Sequence, residues 1–306
     1  MDSSALQSMI RARGLELGRL DPFDDLLLPP SGREEDLEAY LALLDHYAVR
    51  LLLKEVIKSR GPEEWRKGRK SLERFCQPGA LDDFLLRLAD LGVLRRSAEG
   101  FPTPSSSVRS FGATYEWYVA HVIRRDFSCP AAWGVRFENM ASGGDHDVVA
   151  HLSGYFLYIE VKTAPPKHIE PPEIAGFVRR LRDIAPDIAI FHDDTHLRMK
   201  DKIVPLMTEA LGSLVREGGE GKPEEPSSRD HPRRFPAQKG PRGGSEERGW
   251  GLWQGTVAFR RLEREIFHLN SCLYIVNSKP DLKRNLSVVF RHFFRSRNPF
   301  LQVFGD

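Results

Sequence analysis

The chain has 306 residues, 41% hydrophobic and 29% charged. That is the make-up of a globular protein with enough apolar material for about two domains, and it excludes a fibrous or wholly disordered chain. A formal net charge of only +2 excludes a strong global field, so any polyanion must be met by local patches. The three cysteines (Cys76, Cys129, Cys272) are far apart and read as reduced thiols, not a disulfide or zinc framework, which with the lack of a signal segment or a bilayer-length apolar run predicts a cytoplasmic protein.

Residues 1–33 are mixed and acidic (DPFDDLLLPPSGREED) and read as an arm or short helix packed on something else. From Glu35 to Arg60 the apolar residues recur at helical spacing, which predicts one long, largely buried helix closed by Gly61-Pro62. A segment Lys70–Cys76, a Gln77-Pro78-Gly79 turn, a helix over Ala80–Leu91 and VLRRSAEGFPT follow. Helix, turn, helix and a strand pair with a glycine tip is a winged-helix outline, suited to docking on DNA. Asp82, Asp83 and Asp90 on the would-be recognition helix, against Arg87 alone, suit phosphate poorly. A helical packing or protein-interaction domain is an equal reading, and residues 1–109 are taken as this N-terminal unit.

After a linker (TPSSSVR), a second helix is predicted over Ala113–Arg125, with Trp117, Val119, Ala120, Val122 and Ile123 on its core face and Glu116 one turn in. Trp133–Met140 is predicted as a strand. Then comes GGDHDVVAHLSGYFLYIEVKT, the stretch that carries chemistry. Two apolar, β-rich runs, His146–Leu152 and Tyr155–Thr163, flank Ser153-Gly154, a turn signal. A two-residue turn sets Leu152 opposite Tyr155, Val149 opposite Tyr158, Asp147 opposite Glu160 and Asp145 opposite Lys162. Like charges so placed repel, and a hard divalent cation is the natural reason to keep them. Mg2+ commonly takes one or two carboxylates together with substrate phosphate. Lys162, two residues after Glu160, could orient or deprotonate a water or stabilise growing charge. The bland reading of this cluster is an ordinary charged surface hairpin. His146 and His151 read first as strand histidines and only second as ligands.

GGDHDVVA followed by YIEVK resembles the metal-binding core of PD-(D/E)xK nucleases, the restriction-endonuclease-like superfamily, in its resolvase-like branch. The resemblance spans roughly Phe111 to Leu211. It implies an α/β fold (helix, three strands, helix, strand) over residues 110–215 and a Mg2+-dependent DNA endonuclease, with Mn2+ able to substitute. Asp147 and Glu160 would hold the metal, Lys162 would assist the water, Glu116 matches the helix carboxylate some members add, and the Val161 carbonyl would complete the shell. The family's Pro is replaced by His146, and Asp145 is a rival ligand.

Past Thr163, a proline-rich crossover leads to a helix near Pro172-Glu173, and Lys167, His168, Arg179, Arg180 and Arg182 could track a phosphate backbone. A strand over Asp187–Asp193 and a helix over Arg198–Leu214, with Pro205 as kink or boundary, follow. Residues 216–251 are rich in Gly, Pro and both charges and are predicted to be disordered. The remainder, 252–306, reads as LWQGTVAF, a helix from Arg260 toward His268, a strand Cys272–Asn277 that joins the sheet, and a helix Asp281–Arg295. Nine Lys/Arg against three Asp/Glu between Phe259 and Arg297 make a basic rim that could meet nucleic acid. DNA is expected ahead of RNA, a membrane partner is not expected, and pairing of two protomers is left open. The competing reading is a non-catalytic DNA- or protein-binding scaffold on the same core.

Overall fold

The computed structural model describes residues 4–140, 143–219 and 257–298, the backbone alone over 215–219. In chain order these form α1 (Ser4–Ala12), β1 (Leu17–Arg19), α2 (Glu34–Leu44), α3 (Tyr47–Lys58), α4 (Pro62–Leu72), α5 (Ala80–Asp90), β2 (Leu94–Arg96) and β3 (Pro102–Pro104). Then come α6 (Gly112–Phe127), β4 (Ala131–Phe137), β5 (His146–Leu152), β6 (Tyr155–Lys162), α7 (Pro171–Ile184), β7 (Ile188–Asp193) and α8 (Ile203–Gly219). The last elements are β8 (Arg260–Glu263), β9 (Ile266–Leu269), β10 (Leu273–Asn277) and α9 (Leu282–Arg295).

Eight strands make one sheet in the order β1-β4-β5-β6-β7-β10-β9-β8. β6, β7 and β10 run parallel at its centre, and the flanking pairs are antiparallel. Alternation along the strands splits the core by face. Leu157, Ile159 and Val161 of β6 join α6, α9 and the N-terminal helices in one cluster. Phe156 and Tyr158 join α1, α7 and α8 in the other. Parallel strands buried on both faces need near-continuous apolar sequence, which is what YFLYIEV and IAIFHD provide. At roughly 25 cal/mol per Å² of apolar surface, each fully buried Phe or Leu is worth about 1.5–3 kcal/mol, so a charge in such a strand is costly unless it is partnered.

The Ser-Gly turn forms with positive φ at both residues, 51° at Ser153 and 91° at Gly154, as a two-residue hairpin turn matched to strand twist requires. Its register runs from Leu152↔Tyr155 to Val148↔Ile159. Cys272–Asn277 enters the sheet beside β7 as expected, with Leu273 paired to Ala189.

Several expectations are corrected. The long helix over Glu35–Arg60 is two helices, α2 and α3, parted at Asp45-His46 with His46 extended (φ −81°, ψ 119°). Arg50 holds the break open, its Nη1 donating to the Leu44 and Asp45 carbonyls that α2 leaves unpaired at its end. The predicted helix from Arg260 is instead the hairpin β8–β9, with Glu263 opposite Ile266. The residues predicted as Trp133–Met140 start and end earlier, as β4. The helix from Arg198 starts at Ile203, which puts Pro205 in its first turn, where a missing N–H costs nothing. Residues 220–251 of the Gly/Pro stretch and most of LWQGTVAF lie outside the described residues.

The N-terminal unit has three consecutive helices, α3 to α5, followed by the antiparallel pair β2–β3, with Arg96 opposite Pro102. Its buried side chains are continuous with those under α6. Arg50 of α3 is 1% exposed and bonds Asp194 just past β7 at 2.9 Å. Lys54 adds a second bond to Asp194 at 2.8 Å.

Candidate active site

The hairpin forks at its open end. Beyond Val148↔Ile159 the Asp147 carboxylate replaces a ladder partner: its Oδ2 accepts the Val161 backbone N–H at 2.6 Å. Asp147 and Glu160 thereby lie at the same, open end of the β5–β6 hairpin. Burial, followed by the charges of Glu160 and Glu116, pushes the Asp147 carboxyl well above the usual range.

Glu160 is 1% exposed near the end of β6. Its Oε1 accepts from Arg180 Nη2 at 2.6 Å and from Lys162 Nζ at 2.9 Å. Its Oε2 accepts the Tyr158 hydroxyl, and Arg180 Nε donates to that same hydroxyl at 2.9 Å. Burial alone would raise the Glu160 pKa, but the Lys162 and Arg180 charges overcome it and hold the group below its ordinary value, as a carboxylate. Lys162 answers in kind. Burial works against its charge, yet Glu160 and Asp147 carry its pKa upward, so it stays an ammonium.

Glu116 reaches the site from α6. It is half-buried, and burial, then Glu160 and Asp145, push its pKa up to about 7. Asp145, the rival ligand, is occupied on the outer side by Arg19 at 2.6 Å and Arg136 at 2.8 Å. His146 is a core histidine. It lies between the rings of Phe137 and Tyr158, its Nδ1 is 3.3 Å from the Val135 carbonyl, and burial lowers its pKa to about 4.

Among the described residues no three His, Cys, Asp or Glu side chains converge as a ready-made metal cage. Asp147, Glu160 and Glu116, which act on one another electrostatically, nonetheless offer only hard oxygen donors, the set a Mg2+ ion takes together with water and phosphate. Asp147 commits Oδ2 to the backbone, which leaves Oδ1 for another partner. The donor chemistry fits the ion, although Glu160 must first give up its contact with Lys162.

Of the residues expected to meet phosphate, Lys167, His168 and Arg179 are exposed. Arg180 is not among them: its guanidinium is spent on Glu160 and Tyr158. Arg179 lines a groove of about 320 Å³ between α7 and α8, together with Arg182 and Glu209. Sequence reading missed Tyr158, although it lies two residues before Glu160 and therefore on the same strand face. It also missed the polar group past β7. There Asp194 accepts from Arg50, Lys54 and Ser278, and Tyr115 hydroxyl links His192 Nε2 at 2.8 Å to Ser278. Its signal, HDDTH closing an apolar strand, was present in the sequence.

No family model matches the sequence, and no curated protein matches it. Among solved structures it is similar to protein VC1899 from Vibrio cholerae, at 14% identity and a TM-score of 0.41, over 67% of this chain and 55% of that one. It is also similar to Can2 from Sulfobacillus thermosulfidooxidans in complex with cyclic tetra-adenylate, at 15% identity and a TM-score of 0.36, over 61% of this chain and 50% of that one. The chain thus spans about half the length of these structures. Likenesses of this strength assign neither fold family nor activity. No described helix is long and apolar enough to cross a membrane.

Proposed function

We propose that the chain is a metal-dependent nuclease of restriction-endonuclease-like type, hydrolysing phosphodiester bonds in nucleic acid, with DNA as the substrate. The observation that carries the reading is the fork of β5 and β6. There buried Asp147 caps the Val161 N–H, buried Glu160 meets the Lys162 ammonium at 2.9 Å, and Glu116 acts on both electrostatically, a burial of charge that a structural hairpin has no reason to bear.

Asp147 and Glu160, with Glu116 and the Val161 carbonyl, would hold Mg2+ or Mn2+, which supplies Lewis-acid stabilisation of charge on the phosphate. Lys162, whose ammonium is favoured by Glu160 and Asp147, would orient the attacking water and meet charge growing on a phosphate oxygen. Arg180 and Tyr158 fix the Glu160 carboxylate. Exposed Lys167, His168 and Arg179 lie further along the chain from β6 and suit the flanking phosphates.

The test is cleavage of supercoiled, linear and branched DNA, and of RNA, with Mg2+ or Mn2+, comparing wild type with Asp147→Ala and Lys162→Ala. Metal-dependent cutting lost by several orders of magnitude in both variants is the expected result. Tight nucleic-acid binding without cutting, equal in all three proteins, would favour the scaffold reading.

A further inference from the structure

Asp193 closes β7 fully buried, at 0% exposure. Neither of its carboxylate oxygens has a hydrogen-bond partner among the described residues. Burying a carboxyl without donors is costly, and such exceptions call for an explanation. The obvious local donors are already committed. Asn277, its register partner on β10, donates Nδ2 to the Leu197 carbonyl and accepts the Lys279 N–H. Lys54 and Arg50 bind the neighbouring Asp194.

On the other side, the register partner of Asp193 is Lys162. Partners on adjacent strands share a face roughly 5 Å apart. The row Lys162–Asp193–Asn277 therefore runs across the sheet one step beyond Glu160–Phe191. The Lys162 ammonium now points along its own strand, 2.9 Å from Glu160 Oε1 and 3.7 Å from Glu173 Oε1. Those contacts occupy the oxygen that a divalent cation would need from Glu160.

We propose that Asp193 is the second acceptor for the Lys162 ammonium, taking it up when Glu160 turns to a divalent cation. Lys162 then moves sideways by one strand and stays within the site, its charge met by a carboxylate that until then had no partner. Asp193 is a positioning residue: it touches no substrate and acts through Lys162. Burial, then Asp194, hold the Asp193 carboxyl well above the usual range although Lys54 and Lys162 already act on it from a distance; the arriving ammonium supplies the hydrogen-bond donor that its two oxygens lack. This rests on the nuclease reading, because it requires cation binding at Glu160.

The experiment measures Mn2+ binding to the full chain without nucleic acid, by loss of the free-ion paramagnetic resonance signal. Wild type, Asp193→Asn, Lys162→Met and the double variant are compared, with Asp193→Ser as a second replacement. The expected result is about a tenfold loss of affinity from Asp193→Asn when Lys162 is present, of the size outer partners of a metal site have. In the Lys162→Met background the same change should have less than about a twofold effect, since the ammonium that needs the second acceptor is gone. A merely structural role for Asp193 would give the same loss in both backgrounds and overturn the inference. So would equal affinity of wild type and both Asp193 variants, with the nuclease reading left standing. Absence of saturable Mn2+ binding in wild type would instead remove the nuclease reading, and this inference with it.

Discussion

Arg180 of α7 donates to Glu160 Oε1 at 2.6 Å while its Nε holds the Tyr158 hydroxyl, which itself donates to Glu160 Oε2. A helix residue thus fixes both oxygens of a strand carboxylate that would otherwise be buried among aromatic rings. In sequence Arg179, Arg180 and Arg182 line the later part of the helix together as cations that could track a phosphate backbone, but the three differ in what they do. Only Arg180 turns inward, since the Tyr158 and Phe177 rings bring α7 against β6 at that turn.

Replacing Arg180 with Met keeps the packed stem and removes the charge. Glu160 then loses one of the two cations that overcome its burial, so its pKa must rise from its depressed value. The reaction needs Glu160 ionised, and activity therefore fails at a higher pH than in wild type. The acid limb of the pH–rate profile should move up by about a unit or more, with activity at neutral pH reduced about 10- to 100-fold. An unmoved acid limb would show that Arg180 does not set the state of Glu160.

Glu116 gives a prediction about the cation-free protein. Its pKa rises from 4.5 to about 7 in the folded chain. A carboxyl raised on folding binds more protons in the native state between those values. Its contribution is favourable below the lower value and is lost as pH climbs toward 7. Thermal unfolding without divalent ions should thus show a melting temperature that falls across this window. Glu116→Gln should flatten the fall, and so should added Mg2+. The buried Asp147 carboxyl shifts in the same direction, so Glu116→Gln removes part of the slope and Glu116→Gln with Asp147→Asn removes more.

The hairpin was legible because its turn is local chemistry. Ser-Gly accepts positive φ, the two-residue turn sets the register, and the register brings two acidic residues to one end. What was not legible depends on contacts distant in sequence. LEREIFHL carries helical spacing, yet Phe267 and Leu269 pair with Ile275 and Leu273 of β10, and that non-local ladder decides for a strand. The split of α2 from α3 depends on Arg50, whose guanidinium is placed by Asp194, 144 residues away. The fork itself was also out of reach: counting outward from the turn continues the ladder, whereas the Asp147 side chain ends it by taking the Val161 N–H.

Gly154 sits at φ +91° with no heavy atom within 4 Å of where a Cβ would stand. Substitution there is opposed by backbone conformation alone. Gly154→Val should cost about 1–3 kcal/mol in urea unfolding. Gly154→Asn, a residue that tolerates positive φ better, should cost less. Equal costs for both would mean that the turn conformation is not what holds the β5–β6 register.

The pair Arg50–Asp194 makes the sharpest claim about how the two halves of the chain are joined. Both side chains are almost fully buried, at 2% and 0% exposed, and the guanidinium also lies over the rings of Tyr47, Tyr115 and Tyr118. Burial opposes the charge on Asp194, but Arg50 and then Lys54 hold its pKa far below the usual carboxylate range. Arg50→Met leaves that carboxylate buried with Lys54 as its one cation beside the Ser278 hydroxyl and should destabilise the protein by about 3–5 kcal/mol, the cost of breaking a buried pair from one side. The double variant Arg50→Met with Asp194→Asn should recover much of the loss, because no uncompensated charge remains. The pH dependence runs opposite to that of Glu116. A depressed pKa contributes stability above the unfolded value of about 3.8 that is lost as pH falls through the folded one, so the gap between wild type and Arg50→Met should narrow in acid. If α2 to α5 bind nucleic acid, Arg50 and Lys54 also lead from that unit to the site, since Asp194 donates its backbone N–H to the Lys162 carbonyl at 2.8 Å. Arg50→Met should then lower cleavage of long DNA under conditions where the protein stays folded. A variant that is less stable yet cuts at the wild-type rate would confine the pair to architecture.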